Sequence, residues 1–258
     1  MEQPPIGDVF GDMVRDAYAV RTGVGPRPLA GGRLPRPVIE IVERDDGLIN
    51  GAPADHYLGE PDEWPAHDHR ALRLCRGQVL DIGVGAGRTA LEIQRRGQAV
   101  TGLDTSAGAI EIARRRGLRD TVVATVDAFA TRAETRYDTF LLLGNNLGLI
   151  ESRERAPIFL DALARLANPG ARILAQSTDP YNTNDPVHVS YHQRNRERGR
   201  LGGQLRLRLR YRLLATDWFD YLNCSIDELD SLVADSRWRL KEVDDTDFPY
   251  FVALLELI

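Results

Sequence analysis

From Gln78 onward, short apolar runs alternate with stretches whose apolar residues recur every three or four positions. The order is "QVLDIG", "RTALEIQRR", "AVTGLD", "AGAIEIARRR", "TVVATVD", "YDTFLLLGN", "RERAPIFLDALARLA" and "ARILAQST". Strands alternating with helices predict βαβ units, hence an α/β fold with a doubly wound, mostly parallel sheet and helices on both faces. In such a sheet ligands bind beyond the C-terminal ends of the strands.

After the fifth strand the pattern changes. "DPYNTNDPVHVSYHQRNRERGRLGGQ" is polar and loop-like, "LRLRLRYRLL" alternates with period two, and "DWFDYLN" reads as a further short strand. Residues 179–223 are therefore expected to form an insertion over the ligand-binding edge. Regular order returns with "SIDELDSLVADS", whose Ser225 and Glu228 fit a capping box, and closes with "WRLKEVDD" and "YFVALLELI" as a hairpin finishing the sheet. Ahead of Gln78, Ile6, Val9, Phe10, Met13, Val14, Ala17 and Tyr18 fall on one helical stripe. A Gly/Pro-rich linker follows, then "VIEIVERDDGLIN" with a turn at Asp-Gly, then the aromatic stretch "ADHYLGEPDEWPAHDHRAL". The division expected is a cap over residues 1–77 and a core over 78–258.

Composition narrows the class. With 258 residues, 43 % of them hydrophobic, the chain can bury a full core. No run of eighteen apolar residues occurs and the N-terminus is acidic, so a soluble cytoplasmic protein without membrane attachment is expected. Cys75 and Cys224 lie far apart without histidines at metal spacing, which argues against a disulfide framework or zinc site. A net charge of −5 offers nucleic acid no general attraction. Lys241 is the only lysine, an arginine bias suggestive of a high-GC bacterial genome.

The chemistry concentrates in "VLDIGVGAGRTALEIQRRGQAVTGLD", residues 79–104. A strand, a glycine turn and a helix create a polar-ligand site, because the first amides of the helix lack partners and glycine admits a ligand to the backbone. A dinucleotide site needs G-x-G-x-x-G. Here Gly83, Gly85 and Gly87 give G-x-G-x-G, and Arg88 stands where the last glycine belongs. Asp81 would also repel a pyrophosphate, whereas a ligand bearing ammonium or sulfonium charge would welcome it. A nicotinamide-dependent oxidoreductase is thereby disfavoured.

D-x-G-x-G-x-G after a strand, with an acid closing the next strand, resembles the class I S-adenosylmethionine-dependent methyltransferases. The resemblance spans residues 78–258 and implies a Rossmann-like seven-stranded sheet. It also implies that Asp81, Gly83, Gly85 and Gly87 surround the methionine moiety of S-adenosyl-L-methionine and that Asp104 accepts both ribose hydroxyls. Asp127, closing "TVVATVD", would read the adenine amino group, with the Ala128 amide near the ring. Leu143, Gly144 and Asn145, ending the fourth strand, would lie under the transferred methyl. The expected reaction is methyl transfer to O, N or C of a small molecule, with a non-catalytic module that binds S-adenosylmethionine as the rival.

The fourth-strand terminus, "GNNLGL", lacks the Asn/Asp-Pro-Pro-aromatic run of nucleic-acid amino-methyltransferases. Asn145 and Asp179 are a thin signal for a metal, and none is expected. Eight arginines between Arg194 and Arg212 suggest a nucleic-acid groove in isolation, but their alternation with leucines and Tyr211 reads better as a solvated strand face. His188 and His192, four apart with Tyr191 between them, would share a helix face at the active edge and could supply a general base. A polar surface pair is the competing reading. His67 and His69 would diverge on a helix. Tyr57 is the candidate lid contact over the cofactor. Oligomeric state is not legible.

Overall fold

The computed structural model describes residues 5–24 and 37–258; most of the Gly/Pro-rich linker lies outside them. The elements in chain order are α1 (Val9–Thr22), β1 (Ile39–Arg44), β2 (Ile49–Pro53), α2 (Ala66–Arg73), β3 (Val79–Ile82), α3 (Arg88–Arg95), β4 (Val100–Asp104), α4 (Ala107–Arg115), β5 (Asp120–Val123), α5 (Val126–Ala130), β6 (Tyr137–Leu142) and α6 (Ala156–Leu166). They continue with β7 (Ala167–Thr178), α7 (Pro186–Glu197), β8 (Gln204–Tyr211), β9 (Leu214–Ala215), β10 (Phe219–Leu222), α8 (Ile226–Val233), β11 (Trp238–Asp244) and β12 (Tyr250–Leu257). Short 3₁₀ turns occupy Ala54–Leu58, Pro61–Glu63 and Asn146–Ile150.

The main sheet has seven strands in the order β11-β12-β7-β6-β3-β4-β5. Strands β3 to β7 pair in parallel, and β12 runs antiparallel to both β7 and β11. Because side chains alternate along a strand, each central strand feeds two cores. Leu80, Ile82, Phe140, Leu142, Ile173, Phe251 and Leu255 pack on one face with α6 and α8. Val79, Leu141, Leu143, Leu174, Val252 and Leu254 pack on the other with α2 and α3. Chain order reverses direction at β3, which lies between β4 and β6, and this switch point opens a crevice at the strand ends.

A second sheet covers that crevice. Its order is β10-β8-β1-β2, all antiparallel, with β9 on β8. It joins the N-terminal hairpin to strands from the stretch read as an insertion, so the two segments meet in one element. Pairing of Val42 with Leu209, Arg44 with Leu207, Phe219 with Leu207 and Tyr221 with Leu205 puts these side chains on one face, together with Glu40. The Tyr221 hydroxyl donates to the Asn145 carbonyl at 2.7 Å, so this face lies over the end of β6. The opposite face carries Glu43, Arg206, Arg208, Arg210 and Asp220. Arg208 grips Glu43 through two bonds of 2.8 and 2.9 Å, Arg210 adds a third at 3.2 Å, and Arg206 pairs with Asp220 at 3.2 Å. These arginines are half-buried and paired with acids, although Trp218, stacked under Arg208, adds an aromatic that the alternation did not indicate.

Three expectations need correction. Ile6 precedes the first helix and is exposed; Asp8, accepting from the Gly11 amide, starts α1 after it. The polar stretch after β7 is not all loop. Asp185 accepts from the Val187 amide and Pro186 takes the first helical position, so α7 forms without an apolar stripe to announce it. Finally, β5 ends at Val123, and Asp127 sits in the first turn of α5, whose cap is Thr125, instead of closing a strand.

Candidate functional site

The crevice is floored by residues 83–87. Gly83, Gly85 and Gly87 adopt φ of 69°, 54° and 82°, the left-handed region that side chains disfavour, so the tight turn requires glycine at all three. The amides of Gly83 and Val84 bond the Leu103 carbonyl at 2.8 and 3.1 Å, drawing the turn against the end of β4. Asp104 closes β4 there. One carboxylate oxygen accepts the Gly85 amide at 2.8 Å and the other the Ser106 amide at 2.8 Å. Burial raises its pKa against the pull of those amides. Among the described residues these amides leave the carboxylate with acceptor capacity to spare. Asp81, only 2 % exposed, accepts the Thr89 hydroxyl at 2.7 Å, and burial lifts its pKa to about 7.

The end of β6 forms the adjoining wall. Leu143 is buried, and the Gln176 side-chain oxygen accepts the Gly144 and Asn145 amides at 2.7 and 3.2 Å. Asn145 holds φ 68°, an uncommon conformation for a residue with a side chain. Its side chain is fixed by Asn223 at 2.9 Å and Thr178 at 3.1 Å. Asn146 ties this wall to the floor, donating to the Ile82 and Gly83 carbonyls at 3.0 Å each.

The roof comes from the N-terminal segment. A side chain at Gly85 would first meet the Phe10 ring, 3.6 Å away. Phe10 packs edge-on against Tyr57 with centroids 4.9 Å apart, and the Tyr57 hydroxyl lies 3.0 Å from both carboxylate oxygens of Glu40. Beside the end of β6 opens a cavity of about 320 Å³, lined by His56, Trp64, His67, Asp68, Arg88 and Gln176 among others. Arg88 pairs with Asp68 at 2.5 Å, and the other Asp68 oxygen, buried, has no hydrogen-bond partner among the described residues. The volume suits a small molecule or part of one.

The structure thus gathers Asp81, the three glycines, Asp104, Leu143, Gly144, Asn145 and Tyr57 around one crevice. Other expected residues have different company. Asp127 pairs with Arg155 at 2.6 Å while its second oxygen is buried and has no partner among the described residues, and the Ala128 amide already bonds the Thr125 hydroxyl at 3.2 Å. On α7, His188 meets Arg44 at 3.0 Å, the Tyr191 hydroxyl donates to Asp45 at 2.8 Å, and His192 lies edge-on to Tyr181. The rings of His188 and His192 stack 6.5 Å apart, sharing a face as their spacing requires. No hydrogen bond among the described residues joins these three to the glycine turn or to Asp104. Burial and nearby cations lower the His192 pKa.

Sequence reasoning gave no role at this site to Glu40, Phe10, Tyr221, His67 or Gln176, weighing His67 only as a metal ligand beside His69. For Glu40 the alternation points the wrong way: in "VIEIVER" the pattern invites Ile39 and Ile41 inward, yet both are only half-buried while Glu40 is 8 % exposed. Phe10 stood out only as part of a core stripe. Gln176 and Tyr221 gave no signal beyond lying in strands.

Residues 79–170 match the family model described as methyltransferase domain. The chain is 33 % identical over 125 residues to a ubiquinone biosynthesis O-methyltransferase of Alkalilimnicola ehrlichii, a match covering 43 % of this chain and 49 % of that protein. It therefore spans about half the length of the curated relatives it matches. Among solved structures, a SAM-dependent methyltransferase from Bacteroides fragilis in complex with S-adenosyl-L-homocysteine superimposes with TM-score 0.78 over 99 % of this chain and 98 % of that one, at 21 % identity. The CcbJ methyltransferase from Streptomyces caelestis gives 0.56 over 79 % and 95 %, at 19 %. Residues 79–170 are thus similar to a methyltransferase domain, and the strand order and superposition give the chain the fold of the S-adenosylmethionine-dependent methyltransferases it resembles.

Proposed function

We propose that the protein transfers the methyl group of S-adenosylmethionine to O, N or C of a small molecule enclosed between the two sheets. The observation that carries the cofactor reading is Asp104, a half-buried carboxylate held by the Gly85 and Ser106 amides, one on each oxygen, with acceptor capacity left over among the described residues. A ribose diol presents two hydroxyl donors that fit this arrangement. The buried Asp81 beneath the turn favours the positive charge of the methionine end. When bound, the cofactor supplies a methyl carried on a sulfonium leaving group. The residues of the chain then have mainly to position the acceptor, and orientation alone can lower such a barrier by roughly 7–11 kcal/mol.

Two features support a small acceptor. The second sheet and α1 roof the crevice, which an extended polymer would need open. The arginines of β8 point away from the crevice into pairs with Glu43 and Asp220.

Asp104→Ala tests the reading. Calorimetric titration should find S-adenosylmethionine bound to the wild type and roughly tenfold or more weaker in the variant, the loss of charge-assisted bonds. Equal affinity in a folded variant would sink it.

A further inference from the structure

Glu40 is a buried carboxylate whose hydrogen-bond donor among the described residues is the Tyr57 hydroxyl. The Tyr57 hydroxyl lies 3.0 Å from each of its oxygens, but one hydroxyl donates one hydrogen at a time, while an ionised carboxylate has about four acceptor positions. No arginine or lysine pairs with it among the described residues, although its strand neighbour Arg44 pairs with Asp46. A buried charge left so poorly matched is costly unless something else completes it.

Its placement is specific. Glu40 shares the inner face of the second sheet with Val42, Leu209 and Tyr221, and Tyr221 reaches the Asn145 carbonyl at the end of β6. From the other side, Glu40 is linked through Tyr57 and Phe10 to the space directly over Gly85. It therefore lies within the roof, joined on its sheet face to Tyr221 over the end of β6 and through Tyr57 and Phe10 to the glycine turn. Burial raises its pKa, and the Tyr57 bond and the nearby His56 oppose the rise.

The geometry points to Glu40 as the group that binds the reacting X–H of the acceptor, a hydroxyl or protonated amine, and takes its proton as the methyl is transferred. This rests on the methyltransferase reading above. The proton passes to a Glu40 oxygen, the freed pair on X forms the bond to the methyl carbon, and the pair of the breaking C–S bond stays on sulfur. Carboxylate and sulfonium charges cancel, leaving a carboxylic acid and a thioether. Tyr57 acts through Glu40, holding the carboxylate toward the crevice.

The test needs no acceptor. Sinefungin, the S-adenosyl analogue in which a carbon bearing a primary amine replaces the methylated sulfur, places an ammonium where the methyl would leave. Wild-type protein should bind sinefungin about tenfold tighter than S-adenosylhomocysteine by calorimetry, as a charge facing the ammonium requires. Glu40→Gln should keep its S-adenosylhomocysteine affinity and reduce the preference to about twofold or less. Tyr57→Phe, which keeps the carboxylate but removes its hydroxyl partner, should lower the preference by less than Glu40→Gln does, and the melting temperature of each variant reports whether it folds. An unchanged preference in a folded Glu40→Gln protein, or none in the wild type, overturns the assignment of Glu40 while leaving the cofactor reading intact. Failure of the wild type to bind S-adenosylhomocysteine overturns both.

Discussion

Asp81 is 2 % exposed and accepts the Thr89 hydroxyl, and burial outweighs that bond and the nearby Arg88 to push its carboxyl up to about 7 in the folded protein. In an unfolded chain it would titrate near ~3.9. An acid raised in this way is protonated first in the folded state, so its ionisation costs stability that falls as pH climbs from about 4 to about 7 and is level above. A cationic ligand beside it reverses the preference. S-adenosylmethionine affinity should therefore rise with pH up to about 7 and then level off, with a proton released on binding at pH 6. Titrations in buffers of different ionisation enthalpy measure that proton, and Asp81→Asn should abolish both release and slope. Binding that ignores pH between 5 and 8 would mean that Asp81 is structural only.

At the scale of elements, α1 is clamped to α4 so tightly that two glycines are needed where they cross. A Cβ on Gly108 would stand 2.7 Å from the Gly11 Cα and 2.9 Å from the Arg15 guanidinium. The Asp8 carboxylate joins the same two helices, accepting the Gly11 amide at 2.9 Å, the Ser106 hydroxyl at 2.7 Å and the Gly108 amide at 2.8 Å. Gly108→Ala should push α1 outward at a cost of about 1–3 kcal/mol, the usual scale of overpacking. Since α1 carries Phe10 over Gly85, cofactor affinity should fall several-fold with the melting temperature. Gly7→Ala, whose added methyl meets only Leu214 at 3.4 Å, is the control and should change neither. A Gly108→Ala protein with wild-type melting temperature and affinity would show that α1 is not held at this crossing.

At the scale of the whole molecule, the active crevice lies between one sheet built in chain order and another that borrows strands from distant parts of the chain. In the second sheet β1 is central, flanked by β2 and β8, so a proline there removes a ladder donor that no edge position excuses. Val42→Pro should accelerate amide exchange across residues 204–222 as well as 39–53, while residues 79–170 keep their protection. Hydrogen exchange read by mass spectrometry decides this. Acceleration confined to 39–53 would mean that β8 and β10 stand without the hairpin.

The sequence by itself determined the main sheet and the floor of the site. Strand periodicity, helix caps and the glycine turn are local signals: a φ near 69° at Gly83 or a cap at Ser225 is decided within a few residues, and the acids at strand ends follow from where strands stop. Asp127 was misplaced by that same logic, because a four-residue strand and a short helix leave too little periodicity to locate their boundary. Tertiary structure alone decided the roof. Which face of "VIEIVER" turns inward depends on pairing with β8, more than 150 residues away, and that pairing overrides an alternation favouring the isoleucines. Burial of Glu40 under Tyr57, the reach of Tyr221 to Asn145 and the stacking of Phe10 over Gly85 are contacts between segments that no local pattern links, and the surroundings of the acceptor depend on them.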